Sequence, residues 1–216
     1  MEPIIDVVLP CLDEAGALPW VLSRMPAQAR AIVVDNGSSD GSAAIARSLG
    51  ALVVPCETRG YGAACQAGLR AAGAELVAFC DCDASIDPAD ALRLAALIGD
   101  ADLVIARRRP TSRRAWPLPA RLANRELARR VSKRIGTRVR DIGPLRVARR
   151  SPLAALPIAD MRSGYPVETV VRAADAGWRL AQADIAYQPR IGRSKVTGTW
   201  RGTVVAVRDI SAVLAA

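Results

Sequence analysis

The segment Phe79-Cys80-Asp81-Cys82-Asp83 is where residue type and spacing speak most directly of chemistry. An apolar run ends in two carboxylates one residue apart, and a turn beginning at Asp83 can bring both around one hard divalent cation. Such an ion neutralises a diphosphate and stabilises it as a leaving group. Two acids after a strand also make an ordinary solvated turn, or a cap for the helix expected from Pro88, so the neighbouring segments decide. In Val33-Val34-Asp35-Asn36-Gly37-Ser38-Ser39-Asp40-Gly41 a strand ends in a carboxylate followed by a Gly/Ser turn and a helix start. That carboxylate can accept from a nucleotide base while the turn admits the ligand to the backbone, although a β-turn with a helix cap has the same composition. Pro10-Cys11-Leu12-Asp13-Glu14 ends an earlier strand in the same way, and Gly60-Tyr61-Gly62-Ala63-Ala64 opens a helix with small residues. Four such segments in this order are far more specific than any one.

The rest of the composition narrows the chemistry. There is no histidine in the 216 residues, which removes the commonest acid/base group and metal ligand together. Five cysteines stand without the paired spacing of zinc modules and are expected to be reduced core thiols. The net charge of +9 is concentrated: residues 107–150 hold 16 of the 30 Lys and Arg and only two acids, Glu126 and Asp141. Without interleaved aromatics or a recognisable module, that segment argues against nucleic acid. It suits either a solvated helix face or a surface that meets anionic lipid and an acceptor phosphate.

The elements that must position these groups are legible in outline. β-rich apolar runs at 4–9, 31–35, 52–54, 76–80 and 103–106 alternate with helical spacing at 42–49, 63–72 and 88–98, which predicts βα units around a mainly parallel sheet. Asp40 is the expected N-cap of the helix at 42, with Gly50 and Gly73 as stops. In such sheets ligands gather at the carboxyl ends of the strands, where Asp13, Glu14, Asp35, Asn36, Asp81 and Asp83 stand. The second half is expected to hold a basic helix over 120–135, strands at 145–148 and 181–187, and a helix over 167–176. A polar loop over 188–198 and a helix from about Trp200 complete it. The length predicts one domain, 1–216, with a donor half over 1–106 and an acceptor half over 107–216. Its longest apolar runs are strand-length, well short of the roughly 20 residues that cross a bilayer, and the first residues read as a strand and not a leader. The expected location is cytoplasmic, with the basic surface peripheral to the inner membrane face.

The segments LPCLDEAGAL, VVDNGSSDGS, RGYGAACQAGL and FCDCDASIDP resemble the successive donor-site motifs of family 2 glycosyltransferases. DIGPLRVARR, GYPVETVVRAADAGWRLAQ and YQPRIGRSKVTGTWRGTV resemble the branch containing dolichyl-phosphate mannose synthases and polyprenyl-phosphate glucosyltransferases. The resemblance implies a GT-A type α/β fold and transfer of a sugar from a nucleotide-sugar donor, of the UDP-glucose or GDP-mannose type, to a polyprenyl phosphate. It implies that Pro10, Asp13, Glu14 and Asp35 line the base and ribose pocket and that Gly60 and Gly62 admit the donor to the backbone. Asp81 and Asp83 would hold Mg2+ or Mn2+. Arg146, Arg190, Arg193, Ser194 and Lys195 would face phosphates. Where some relatives carry an amide two residues after the second aspartate this chain has Ser85, and where some carry a carboxylate before an aromatic–Arg pair it has Pro144-Leu145-Arg146.

The mechanism expected is an inverting displacement. A phosphate acceptor, with a second pKa of about 6, is already an anionic nucleophile near neutral pH, whereas a sugar hydroxyl needs a base, for which Asp141 and Glu168 are the second-half candidates. Two other readings share the nucleotide pocket: a sugar-phosphate nucleotidyltransferase, which would carry a Gly-rich loop with Arg where this chain has Pro10-Cys11-Leu12-Asp13-Glu14, and a non-catalytic nucleotide-sugar binder, against which both aspartates of the pair argue.

Overall fold

Alternation of side chains along β1 (Ile5–Cys11) already defines two faces, and each is buried. Ile5, Val7 and Leu9 point to one layer and Val8 to the other. In the computed structural model, which describes residues 2–192, this strand is central to a seven-stranded sheet of order β3-β2-β1-β4-β6-β5-β7. The other strands are β2 (Ala29–Asp35), β3 (Leu52–Pro55), β4 (Leu76–Cys80), β5 (Leu103–Pro110), β6 (Leu145–Arg149) and β7 (Leu180–Tyr187). All neighbouring pairs are parallel except those of β6, which runs antiparallel to β4 and β5. This is the α/β architecture expected, a mainly parallel sheet with helices on both faces.

The first layer packs α1 (Leu18–Ser23), α2 (Ser42–Ser48) and α4 (Asp90–Ala95) on one face, through Leu18, Val21, Ala46, Ala91 and Leu94. The opposite face carries α3 (Tyr61–Ala71), α5 (Leu118–Ile135), α6 (Arg150–Ala155) and α7 (Tyr165–Asp175), through Ala64, Leu69, Val131, Leu153, Tyr165 and Val170. The helices α1 and α6, of six residues each, were not expected, because fewer than two turns carry no readable period. Asp6, wholly buried at the start of β1, ties three elements together. Its carboxylate takes a bidentate pair from Arg30 on β2, at 2.7 and 2.9 Å, and accepts the amides of Gly73 and Ala74 ahead of β4, at 2.6 and 2.9 Å. Burial pushes this carboxyl up, but Arg30 and the two amides outweigh it and hold the group below its ordinary value.

Several local expectations change. The N-cap of α2 is Gly41, at φ +88°. Asp40 instead accepts the Ser42 amide at 3.0 Å and reaches across to the Ala15 amide at 2.9 Å, fastening the loop after β1 to the loop after β2. α3 ends in extended backbone at Ala72, one residue before Gly73. β5 runs on to Pro110, four residues beyond the expected end, because it pairs with β7 along its whole length. Its arginine run therefore alternates between faces: Arg107 and Arg109 both meet Asp184 of β7, while Arg108 turns the other way. The five cysteines are free and buried, as expected. The loop over 188–198 is described only as far as Gly192, so Arg193, Ser194, Lys195 and the helix expected from Trp200 lie outside the described residues.

Candidate active site

From β1 the chain winds outward through β2 and β3, then returns to place β4 on the other side of β1. The loops leaving β1 and β4 therefore diverge, opening a crevice at the carboxyl ends of the strands. A cleft of about 410 Å³ lies there. Of the expected residues it brings together Pro10, Glu14, Gly60, Asp81, Asp83 and Arg190; Asn36, Arg59, Tyr61 and Arg108 join them.

The loop geometry follows from a mesh of short polar contacts. Asp13, at φ +52°, accepts the Ser39 amide at 2.7 Å, while its own amide donates to Ser38 Oγ at 2.9 Å. The Glu14 amide donates to Ser42 Oγ at 2.9 Å. Asp35 accepts the Ser38 amide at 3.1 Å, the turn contact that its composition also allowed. Asp13 and Asp35 thus shape the loops behind the cleft lining. Asn36, itself buried, ties the end of β2 to the chain running from β3 into α3. Its amide donates to the carbonyls of Cys56 and Thr58 at 3.0 and 2.7 Å and its oxygen accepts the Gly60 amide at 2.8 Å.

Gly60 and Gly62 answer to a different neighbour from the one expected. A Cβ on Gly62 would stand 2.4 Å from the Asp160 carbonyl oxygen, and one on Gly60 2.1 Å from that of Met161. The start of α3 is pressed against residues 160–162, and the amides of Gly62 and Ala63 donate to the carbonyls of Arg162 and Met161 at 3.1 and 2.8 Å. Backbone of the second half thereby satisfies the first amides of the helix. Glu168 holds that backbone in place: buried on α7, it accepts the amides of Ala159 and Asp160 at 3.0 and 2.7 Å and pairs with Arg172 at 3.2 Å. It is not among the residues lining the cleft.

Asp81 and Asp83 face the cleft from the turn after β4. Burial first, and then the neighbouring charge of Asp83, push the Asp81 carboxyl up to about 6. Tyr61 Oη donates to Asp81 at 3.3 Å and itself accepts from Arg146 Nη2 at 3.0 Å. Arg146 is 1% exposed, so it supports the carboxylate through Tyr61 and does not itself face a phosphate in this structure. Its Nη1 donates to the Gly143 carbonyl at 2.8 Å, and its Nε is buried without a partner. Arg190 meets Asp83 at 3.2 Å, and the Ile191 amide donates to the Asp83 carbonyl at 2.9 Å, docking the chain after β7 on this turn. The donor set suits Mg2+ or Mn2+: two hard carboxylates held together in a poorly solvated corner favour a cation. Among the described residues no cluster of three or more metal-ligating side chains occurs, so the remaining coordination would fall to donor oxygens and water.

Beside the cleft runs a second cavity, of about 600 Å³, between β5 and α5. Arginines 121, 125, 129, 138 and 140 line it, and Arg108 borders both cavities. The Arg108 guanidinium lies 4.0 Å over the Trp116 ring and is gripped by Asp141 at 2.7 and 3.1 Å and by Asn124 at 2.9 Å. The Asp141 carboxylate, nearly wholly buried, also accepts the Arg108 amide at 2.7 Å. Arg108 carried no signal as one of three consecutive arginines; only the strand alternation imposed by β7 singles it out.

Fold and site together define an α/β protein of the GT-A type with a ligand cleft at the switch point of its sheet. The chain matches Glycosyl transferase family 2 over residues 6–156 and belongs to that family; it is a glycosyltransferase, and the nucleotidyltransferase reading falls away. An uncharacterized glycosyltransferase of Mycobacterium tuberculosis is 47% identical over 212 residues, spanning 97% of each chain. A dolichyl-phosphate hexose transferase of Haloferax volcanii is 30% identical over 197 residues, covering 89% of this chain and 86% of its own. Among solved structures, glucosyl-3-phosphoglycerate synthase from Mycobacterium tuberculosis with Mg2+ and UDP matches with a TM-score of 0.80 at 23% identity, over 98% of this chain and 78% of that one. That likeness is one of fold.

Proposed function

We propose that this glycosyltransferase performs metal-dependent, inverting transfer of a hexose from a nucleoside-diphosphate sugar to a polyprenyl phosphate. The observation that carries the reading is the place of Arg108, a pinned cation on the wall shared by the carboxylate-bearing cleft and the basic cavity. A donor diphosphate lies along the Asp81–Asp83 edge, and the acceptor phosphate enters from the α5 side to meet Arg108. The Haloferax relative is named for transfer to dolichyl phosphate, and the solved neighbour contains UDP and Mg2+; both support the reading.

Asp81 and Asp83 would hold the divalent ion, which when bound offsets the diphosphate charge and aids its departure. Arg146, through Tyr61, keeps Asp81 oriented toward the cleft. Arg190 neutralises Asp83 and reaches a phosphate bound beside it, with Arg193, Ser194 and Lys195 proposed to extend that grip. Pro10, Glu14 and the Asp35–Asn36 loop form the nucleotide end. Asp141 and Glu168 act by position: the first fixes Arg108 and the second fixes the backbone under Gly60 and Gly62. With both carboxylates committed in this way, an acceptor that is already anionic fits better than a hydroxyl needing a base.

The test is incubation with UDP-glucose or GDP-mannose and Mn2+ in the presence of undecaprenyl phosphate in lipid vesicles or, separately, soluble 3-phosphoglycerate. Sugar label in the organic extract with the lipid acceptor is expected. Label transferred only to the soluble phosphate would overturn the lipid assignment.

A further inference from the structure

Arg59 lines the cleft together with Asn36 and Pro10, and among the described residues no carboxylate pairs with it. A long exposed side chain is ordinarily free to wander, but this one is held from two directions. Beneath it lies Gly37, at φ +87°, where a Cβ would stand 3.0 Å from Arg59 Cζ, 3.1 Å from Nη2 and 3.4 Å from Nε. Three guanidinium atoms at so nearly one distance mean that the group lies across Gly37, in the space any other side chain there would fill. Behind it stands Asn36. Its amide donates to the Thr58 carbonyl at 2.7 Å and its oxygen accepts the Gly60 amide at 2.8 Å, so one buried side chain fixes the backbone on both sides of residue 59. The remaining amide N–H goes to the Cys56 carbonyl at 3.0 Å. An aspartate of the same shape has no N–H to give and could keep only the bond to Gly60.

We propose that Arg59 reads the base of the donor nucleotide, bonding the keto oxygen of uracil or guanine and turning away cytosine and adenine, with Asn36 as the positioning residue that aims it. The place in the cleft suits a base. Tyr61, two residues on, reaches Asp81, whereas Arg59 turns back onto the loop after β2, away from the carboxylate pair. With one face laid on Gly37, the guanidinium spreads its N–H groups in its own plane, and it has donors only, no acceptor. It therefore matches an edge that accepts. Uracil O4 and guanine O6 accept, while cytosine N4 and adenine N6 present N–H groups at the same edge. A donor set against a donor leaves both unpaired, and a polar group desolvated without a partner is costly.

The proposal rests on the donor-site reading above, and one series of calorimetric titrations separates the two. UDP, GDP, CDP and ADP are each titrated in Mn2+ into the full chain, into Arg59→Met, which keeps an apolar stem without the donors, and into Asn36→Asp. The parent should bind the better of UDP and GDP about tenfold or more tighter than either CDP or ADP. Arg59→Met should abolish that preference by weakening the keto nucleotide and leaving the amino nucleotides as they were, with the need for Mn2+ unchanged. Asn36→Asp should lose the same preference while keeping the parent's circular dichroism; a preference kept in full would strip Asn36 of the aiming role. Arg59 is exposed, so Arg59→Met decides the base reading whatever becomes of the Asn36 variant. Equal weakening of all four nucleotides in Arg59→Met would move the residue to the phosphates and overturn the proposal. Unchanged affinities in that variant, or a parent that takes CDP or ADP as tightly as UDP and GDP, would overturn it too and leave the donor site standing. Binding of none of the four would sink the donor-site reading and the base reader with it.

Discussion

At the scale of single residues, Arg108, proposed to meet the acceptor phosphate, and Glu168, which holds backbone, make opposite cases. Arg108 is pinned by Asp141, Asn124 and the Trp116 ring, so its fork is fixed before any ligand arrives. Lysine keeps the charge but neither the fork nor the stacking. Arg108→Lys should therefore lower kcat/KM for the phosphate acceptor about tenfold or more while the KM for the donor changes little. Steady-state kinetics with each substrate varied in turn will show this, and an equal loss for both substrates would remove Arg108 from the acceptor side. Glu168 presents the opposite case. Its oxygens hold the amides of Ala159 and Asp160, so Glu168→Gln, which keeps an acceptor oxygen there, should retain most of the activity and depress the melting temperature. A variant as stable as the parent but inactive would return Glu168 to the role of base.

At the scale of elements, the contact between α3 and residues 160–162 is where the two halves of the chain meet under the cleft. Gly62→Ala would drive a methyl into the Asp160 carbonyl. Overpacking of this kind costs about 1–3 kcal/mol, so the denaturation midpoint should fall and nucleotide affinity with it; an unchanged midpoint would mean that the loop over 160–162 yields freely. This contact also marks how far the sequence was legible. Strands from β1 to β4 and their polar termini were readable because apolar runs of strand length end in Asp, Asn and Gly. That Gly60 and Gly62 serve a protein backbone was not, since a glycine records that something comes close but not what it is. β5 was read four residues short because its arginines look like loop until β7 supplies Asp184. Asp81 and Asp83 stood out only once their spacing was read beside the other strand-end segments, and both line the cleft, whereas Arg146 was expected at a phosphate and lies behind Tyr61, a depth that only packing decides.

At the scale of the whole molecule, charge and apolar surface coincide on α5. Among the described residues no helix is long and apolar enough to cross a membrane, yet Leu118 and Leu122 are 64% and 56% exposed, one turn apart beside Arg121 and Arg125. This combination suits the headgroup region of an anionic bilayer. Cosedimentation with phosphatidylglycerol vesicles should exceed that with neutral vesicles, weaken as salt shortens the screening length, and fall several-fold in Leu122→Asp. Equal partition to both vesicle types would assign the basic face to solubility alone. The central claim is narrower: the cleft between the ends of β1 and β4 binds a nucleoside diphosphate through a divalent ion held by Asp81 and Asp83. Calorimetric titration of UDP and GDP into the protein, with Mn2+ and with chelator, tests it most directly. One of the two nucleotides should bind in Mn2+, binding should vanish with chelator, and Asp83→Asn should lose it while keeping the parent's circular dichroism. Tight Mn2+-dependent binding retained by Asp83→Asn would contradict the account.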